Sequence, residues 1–335
     1  MTRRLGLDEV EDLARRMLLA SGASELQAGP TAQSIRAAEA DGIRTVGLGY
    51  LPVYCEHLRC GKVVGDAVPS LTQPRAASVV VDAGHGFSHP AFSAGEQALV
   101  DAARTCGVAV MAIAHSYSAG VLGWFVERVA QQGLVAVMFA NSSPTMAPWG
   151  GARAFFGTNP MAWAAPRAAG EPVVADLSSS AVAWVTVKQA ADRGEPIPLG
   201  WALDPEGRPT TDPQLGLAGT MAPAGGHKGS ALALLVDVMS GGVAGSAFSH
   251  EASDFGDNTG GPPDVGQVVL AIDPSATMGP GSAERIEADL RAMTAQQGVR
   301  LPGDRRLEHR AIAVAQGVDV PDDLYSVLTS YLAPR

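Results

Sequence analysis

Gly225-Gly226-His227-Lys228-Gly229, running straight into Ser230-Ala231-Leu232-Ala233-Leu234-Leu235-Val236, is the stretch on which the reading of this chain turns. Glycines lack a Cβ, so their backbone N–H groups can face a ligand and approach it closely. The apolar run behind them meets no Gly or Pro until Gly241, which predicts a buried helix. A helix N-terminus with a lysine beside it favours anions, so a phosphate-bearing cofactor could be held there. The pattern is not the Walker loop, in which Lys is followed by Ser or Thr. No Gly-x-Gly-x-x-Gly follows a strand either, so the common dinucleotide fingerprint is absent. Alone, the motif reads equally well as a plain glycine-rich turn. Its neighbours decide.

Three more polar, turn-forming clusters follow apolar runs, the position where ligand sites tend to be built. They are Asn141-Ser142-Ser143-Pro144 continuing to Ala147-Pro148-Trp149-Gly150-Gly151, then Phe156-Gly157-Thr158-Asn159-Pro160, then Asp176-Leu177-Ser178-Ser179-Ser180. Together with the glycine-rich turn they predict one shared polar cleft. Around them the periodicity predicts strands over 78–82, 108–114, 134–140, 173–177 and 267–272. Helices are expected over 27–40, 94–104, 121–132, 283–297 and 322–332. Another begins at Asp8-Glu9-Val10-Glu11, whose Asp-x-x-Glu spacing suits a capping box, with Leu13, Met17 and Leu18 on one face. The β–α–β–α–β rhythm of the middle argues for an α/β core. The run 256–263 is the candidate mobile loop.

Composition narrows the function. The chain has 335 residues, 46% hydrophobic and 17% charged, ample material for a core of one or two domains. Its net charge of −10 and scattered basic residues exclude a nucleic-acid surface, which needs clustered Lys and Arg. No apolar stretch approaches the ~18 residues of a membrane span, and Met1-Thr2-Arg3-Arg4-Leu5 lacks the apolar core of a signal peptide. Cys55, Cys60 and Cys106 have no metal-ligand spacing, so no metal is expected. They read as reduced thiols of a cytoplasmic protein.

The same clusters carry a resemblance. Gly200-Trp201-Ala202-Leu203-Asp204 followed by Pro209-Thr210-Thr211-Asp212-Pro213 resembles the signature of the malate/L-lactate dehydrogenase family that is unrelated to the usual Rossmann enzymes. That family includes ureidoglycolate, sulfolactate and diketogulonate dehydrogenases and Δ1-piperideine-2-carboxylate reductases. Ala147–Gly151, Gly157–Pro160, Gly226–Gly229, Ala271-Ile272-Asp273-Pro274 and Leu301-Pro302-Gly303-Asp304 are similar to further family motifs, in family order. The resemblance covers essentially the whole chain. It implies an NAD(P)H-dependent oxidoreductase, with NADPH weakly preferred, acting on a small molecule. It also implies an α/β fold of non-Rossmann type with a largely antiparallel sheet, in place of the doubly wound parallel sheet that the rhythm alone suggests. The expected organisation is a helical domain from 1–70 and 281–335, a substrate-side segment over 71–120 and a cofactor domain over 121–280. A homodimer with its active site near the subunit boundary is also implied.

By the same resemblance Ser142, Trp149, Gly150, Asn159, Ser178, Ser179 and Ser180 meet the cofactor. His227, Lys228 and Gly229 form the turn at its phosphates, and Pro302, Gly303 and Asp304 a loop that closes on it. Asn141 and Thr158 border the substrate, and Asp176 orients the catalytic histidine. The departures are as informative. Where family members read Arg-Gly-Ile-Asp-Ser-His-Gly-x-x-Arg-Leu-Pro, this chain has Asp41-Gly42-Ile43-Arg44-Thr45-Val46-Gly47-Leu48-Gly49-Tyr50-Leu51-Pro52. The resemblance therefore puts Val46, which can donate nothing, at the proton-donating histidine. Tyr50 replaces the arginine that grips a substrate carboxylate, and Thr45 keeps a hydroxyl. Asp41 and Arg44 look like an exchanged ion pair, which places Arg44 beside the substrate.

A positioned general acid is worth ~10²–10⁴-fold, and a lost charge-assisted contact about 1.5–3 kcal/mol. A standard 2-hydroxy acid is thus a poor substrate for this site. Either His89 or His115, standing where the family commonly has amides, supplies the proton with Tyr50 or Tyr117 as phenolic substitutes, or the substrate is an imine that needs the acid less. The alternative function is a member that binds cofactor or metabolite without redox chemistry.

Overall fold

The computed structural model describes residues 1–333. Its centre is a seven-stranded sheet of β1 (Ser70–Arg75), β2 (Ser78–Asp82), β3 (Val108–Ser116), β4 (Val135–Ala140), β5 (Met161–Ala165), β6 (Val173–Leu177) and β7 (Val265–Ile272), in spatial order β1-β2-β3-β7-β4-β5-β6. Only β2 and β3 run parallel, because a helix joins them and lets the chain return in the same direction. Every other pair in this sheet is antiparallel. The decisive event is the late arrival of β7, which enters between β3 and β4 and sets Leu270 opposite both Val110 and Val137.

Helices α1 (Leu7–Ala20), α2 (Glu25–Ala40), α3 (Leu51–Cys60), α4 (Ser88–Cys106), α5 (Leu122–Gln131), α6 (His227–Asp237) and α7 (Asp304–Gln316) frame the sheet. On one face α4 and α5 bury Phe92, Leu99, Phe125 and Val129 against Val79, Val81, Met111 and Met138. At Gly95 an added Cβ would lie 2.4 Å from Met111 Sδ, so the close seating of α4 requires glycine there. A second core joins α1, α2 and α3 to the C-terminal segment through Leu13, Met17, Ile35, Leu51, Tyr54, Val320 and Leu328. Thr2–Leu5 pairs antiparallel with Val318–Pro321, which ties the two ends of the described chain together.

Several expectations need correction. Helix α1 starts one residue before Asp8; its N-cap is Gly6, whose N–H donates to Glu9 Oε2 at 2.7 Å, so the capping glutamate is Glu9 and not Glu11. Asp41 and Arg44 do not pair. Arg44 binds Glu39 at 2.9 Å, whereas Asp41 binds Arg310 at 2.7 Å and Arg306 at 3.2 Å. Helix α7 was not anticipated, because it buries only Ala313 and leaves Ile312 and Val314 exposed, so no apolar stripe marks it. The helix behind Gly225–Gly229 forms as expected, but it is not buried: Leu232, Leu234 and Leu235 are 44%, 52% and 43% exposed.

Candidate active site

The four polar bends converge. Ser179 N–H donates to the Thr158 carbonyl at 2.9 Å, and Ser179 Oγ–H donates to the Asn159 carbonyl at 2.7 Å. Ala224 N–H donates to the Ser179 carbonyl at 2.8 Å, which brings the glycine-rich turn against the serine bend. Trp149 N–H donates to Ser230 Oγ at 3.0 Å and its ring lies 6.4 Å from that of His227, closing the circle. Asn159 and Asn141 are both buried and act as struts: Asn159 Nδ2 donates to the Ala233 carbonyl of α6 at 2.9 Å, and Asn141 Nδ2 to the Ala247 carbonyl at 2.8 Å.

The turn suits an anion for reasons visible in its backbone. Gly226 has φ +70° and caps α6 without a side-chain hydrogen bond, so the first N–H groups of the helix are left open beside exposed His227 and Lys228. A Cβ on Gly226 would sit 3.0 Å from the Trp149 ring, and one on Gly229 2.3 Å from the Ala224 carbonyl, so the cradle closes only with glycine. Trp149, 64% exposed, offers a free aromatic face above it. Gly150 continues that exposed bend. Pro302, Gly303 and Asp304 lie across β6, where a Cβ on Gly303 would come 3.1 Å from the Val174 carbonyl. Asp304 itself accepts the Leu301 N–H at 2.8 Å.

Beside these bends opens a cavity of about 550 Å³ lined by Val46, Tyr50, Tyr54, Asn141, Ser142, Thr158 and Ser178, together with residues 118–120, 143–145, 216–217, 219–221 and 254–256. Among the described residues that line it there is no Arg, Lys or His, and Asp254 is the single charged group. Tyr50 is half-buried, and its phenol is pushed up to about 12 by burial, partly offset by the Tyr117 hydroxyl and reinforced by Asp254. Asp176 stands at the end of β6, where Oδ2 accepts the Gly123 N–H of α5 at 2.9 Å. Its side chain is exposed, and the N–H groups of Gly123 and Leu122 and the charge of Arg306 favour the carboxylate.

Other candidates lie apart from this cavity. Thr45 is exposed on the short turn Arg44–Val46, and Arg44 is held by Glu39. His89 is fully enclosed in α4, stacked on Phe125 at 5.2 Å, with an unpartnered Nδ1; burial holds it down to about 3. His115, in the left-handed region at φ +50°, pairs with Asp82 at 3.1 Å and faces His85. Neither histidine lines the cavity. Tyr117 is buried behind it, and its hydroxyl meets His57 Nδ1.

His57 was missed, and a signal for it existed. Tyr50, Tyr54 and His57 follow i, i+4, i+7 spacing, a single helical face that turns aromatic hydroxyls and an imidazole to one side. Lys62 was also missed. It is buried, donates to the Asp254 carbonyl and pairs with Asp257 at 3.2 Å, which fixes the loop that supplies Asp254 to the cavity. Among the described residues, no helix is long and apolar enough to cross a membrane, and no three His, Cys, Asp or Glu side chains are placed to hold a metal.

The α/β scaffold with its mostly antiparallel sheet is of non-Rossmann type, with an open helix N-terminus and a cavity at its glycine and serine bends. The chain belongs to the malate/L-lactate dehydrogenase family, which it matches over residues 5–329. It is similar to a (2R)-3-sulfolactate dehydrogenase (NADP(+)) of Chromohalobacter salexigens, 45% identical over 100% of both chains. It is 40% identical to a Delta(1)-pyrroline-2-carboxylate reductase of Burkholderia multivorans over 98% of this chain and 97% of that one. Among solved structures, the delta1-piperideine-2-carboxylate reductase of Pseudomonas syringae pathovar tomato superposes with a TM-score of 0.94 at 39% identity, covering 99% of this chain and 100% of that one.

Proposed function

We propose that this protein is an NAD(P)H-dependent reductase whose substrate is a cyclic imine or imino acid, or else a carbonyl compound outside the usual 2-keto acids. The observation that carries this reading is the cavity wall: apolar groups such as Val46, Leu122, Trp184 and Phe255 alternate with hydroxyls, the Tyr50 and Tyr54 phenols and the Asn141 amide, and its one charge is negative. A 2-keto acid and a cyclic imino acid alike find no arginine for the carboxylate, a contact worth about 1.5–3 kcal/mol, so the difference lies at the reacting group, where a protonated imine gains from Asp254. An iminium carbon is already electrophilic, so it demands less of a general acid than a ketone does. Relatives named as pyrroline-2-carboxylate and piperideine-2-carboxylate reductases support the C=N reading, and the sulfolactate dehydrogenase supports NADP as cofactor.

The cofactor would lie along the convergent bends, with its phosphates at Gly226–Gly229 and Lys228 as the point charge. When bound it supplies a hydride to the substrate carbon. Ser178, Ser179, Thr158 and the Trp149 face orient it, and Asp176, held by the start of α5, flanks the reacting end. Initial rates with NADPH should be at least ~10-fold higher for Δ1-pyrroline-2-carboxylate or Δ1-piperideine-2-carboxylate than for 2-keto acids, the factor that about 1.4 kcal/mol of differential stabilisation gives. Ordinary rates on 2-keto acids with both imines untouched, or cofactor binding without turnover, would overturn the reading.

The exposed Leu232, Leu234 and Leu235, with Val238 and Val243 at 45% and 52%, support a homodimer that covers this face of α6. Leu234→Lys is expected to turn a dimer into monomer in sedimentation velocity. An unchanged sedimentation coefficient would remove this face from the interface.

A further inference from the structure

The cavity sets one carboxylate among several rings. Tyr50, Tyr54, Trp184 and Phe255 all stand on its wall, in a chain only 5% aromatic. Asp254 is fixed in place: its Oδ1 accepts the Gly256 N–H at 2.9 Å and the Ser143 Oγ–H at 3.3 Å. Among the described residues nothing donates to its Oδ2. Ring faces beside a carboxylate attract organic cations, as aromatic cages hold quaternary ammonium groups. Two cations on neighbouring segments are committed elsewhere. Lys62 is 1% exposed; it donates to the Asp254 carbonyl and pairs with Asp257 at 3.2 Å. Arg44, just before Val46 in the chain, is held by Glu39 at 2.9 Å.

Part of the wall belongs to a small separate layer. A three-stranded antiparallel sheet of Ala202–Leu203, Pro209–Thr210 and Thr220–Met221 packs with the helices Trp184–Arg193 and Pro213–Ala218 around Met146, Phe156, Val187 and Ile197. This layer lends Trp184, Val185, Leu217 and Met221 to the cavity. Trp184 is 42% exposed, so its ring is free to cover a ligand. The volume of about 550 Å³ lies within the ~300–1,000 Å³ of sites that take drug-sized molecules.

We propose that the substrate is an organic cation without a carboxylate: a cyclic iminium with an apolar substituent, its charged C=N at Asp254 and its substituent against Trp184 and Leu217. This assignment rests on the reductase reading and narrows it to C=N compounds. Hydride adds to the iminium carbon as NADPH is oxidised, and the π pair becomes the lone pair of a neutral amine. The nitrogen brings its own proton, so no acid is needed at Val46, and the amine released takes a further proton from water. Asp254 anchors the charge, and Trp184 and Leu217 determine specificity.

Two matched pairs of compounds test this on the whole protein. With NADPH, kcat/KM for 2-phenyl-1-pyrroline should exceed that for Δ1-pyrroline-2-carboxylate by at least ~10-fold, the lower end of what a missing charge-assisted contact costs a carboxylate. Calorimetry with NADPH and the saturated amines, a combination that cannot react, should show 2-phenylpyrrolidine binding at least ~10-fold more tightly than proline. Trp184 and Asp254 are exposed, so Trp184→Ala and Asp254→Asn should both fold. The first should cut the preference for 2-phenylpyrrolidine over proline by ~5–10-fold, and the second should weaken 2-phenylpyrrolidine by about 5-fold. Proline bound as tightly as 2-phenylpyrrolidine, faster reduction of the carboxylated imine, or wild-type affinities in both variants would overturn the assignment while the reductase reading stands. Selective binding of 2-phenylpyrrolidine with no turnover of either imine would instead overturn the reductase reading and keep the cation site.

Discussion

Glu127→Gln is expected to destabilise the fold by about 3 kcal/mol, measured as a lower urea midpoint with unchanged slope at fixed protein concentration. Glu127 sits on α5, and its carboxylate accepts from Arg306 at 2.8 and 2.9 Å and from Arg310 at 2.9 and 3.0 Å. Asp41, at the end of α2, accepts from the same two arginines. The side chains of Glu127, Asp41 and Arg306 are 8%, 4% and 11% exposed, so water screens them little. Burial alone would raise the Glu127 carboxyl, but the two guanidinium groups outweigh it and hold it below the usual range. Removing its charge leaves two arginines sharing one carboxylate in a poorly hydrated site. Loss of one buried partner typically costs ~3–5 kcal/mol; the 25% exposure of Arg310 places this case at the lower end. A loss under about 0.5 kcal/mol would show that the cluster is no stronger than a surface pair.

The second large effect concerns His89 in acid. Its imidazole is held down to about 3 by burial, which the Ala119 backbone only partly offsets. The native state therefore binds no proton where the unfolded chain, with an ordinary value near 6.5, already does. Stability is complete above about pH 6.5 and drains as pH falls toward about 3, at about 1.4 kcal/mol per pH unit. Between pH 6.5 and 4.5 this amounts to about 2–3 kcal/mol. His89→Gln removes the titration, so the fall in unfolding free energy over that interval should shrink by this amount relative to the wild type. Equal pH dependence in the two proteins would mean that His89 is protonated in the native state.

Much of the fold was legible from local pattern. The buried runs 78–82 and 173–177 stand where expected, because short β-branched stretches bounded by turns leave few other choices. The direction of pairing was not legible from the β–α rhythm. It depends on β7 entering between β3 and β4, a contact across more than a hundred residues that no local window contains. The resemblance, and not periodicity, supplied the antiparallel sheet. Helix α6 shows the complementary limit: an apolar run signals a helix but not which of its faces finds a partner within the same chain.

At the site, glycine and serine bends announced their own convergence, because such residues rarely cluster after strands without a reason of geometry. The histidines were a different matter. His89 and His115 were conspicuous by position in the sequence, yet one is sealed against Phe125 and the other pairs with Asp82. His57 was inconspicuous because its partners, Tyr117 just past β3 and the Asp257 carbonyl, lie 60 and 200 residues away in the chain. Only the stripe of Tyr50, Tyr54 and His57 on one helical face hinted at it.

The short ribbon between Thr2–Leu5 and Val318–Pro321 imposes an order on biosynthesis. Arg4 and Asp319, which bridge it, are 315 residues apart. At ribosomal speeds of ~5–20 residues per second, Leu5 waits roughly 15–60 s for its partner Val318 to be translated. Through that interval Thr2–Leu5 has no strand to pair with, so the first residues of the chain close onto the fold last.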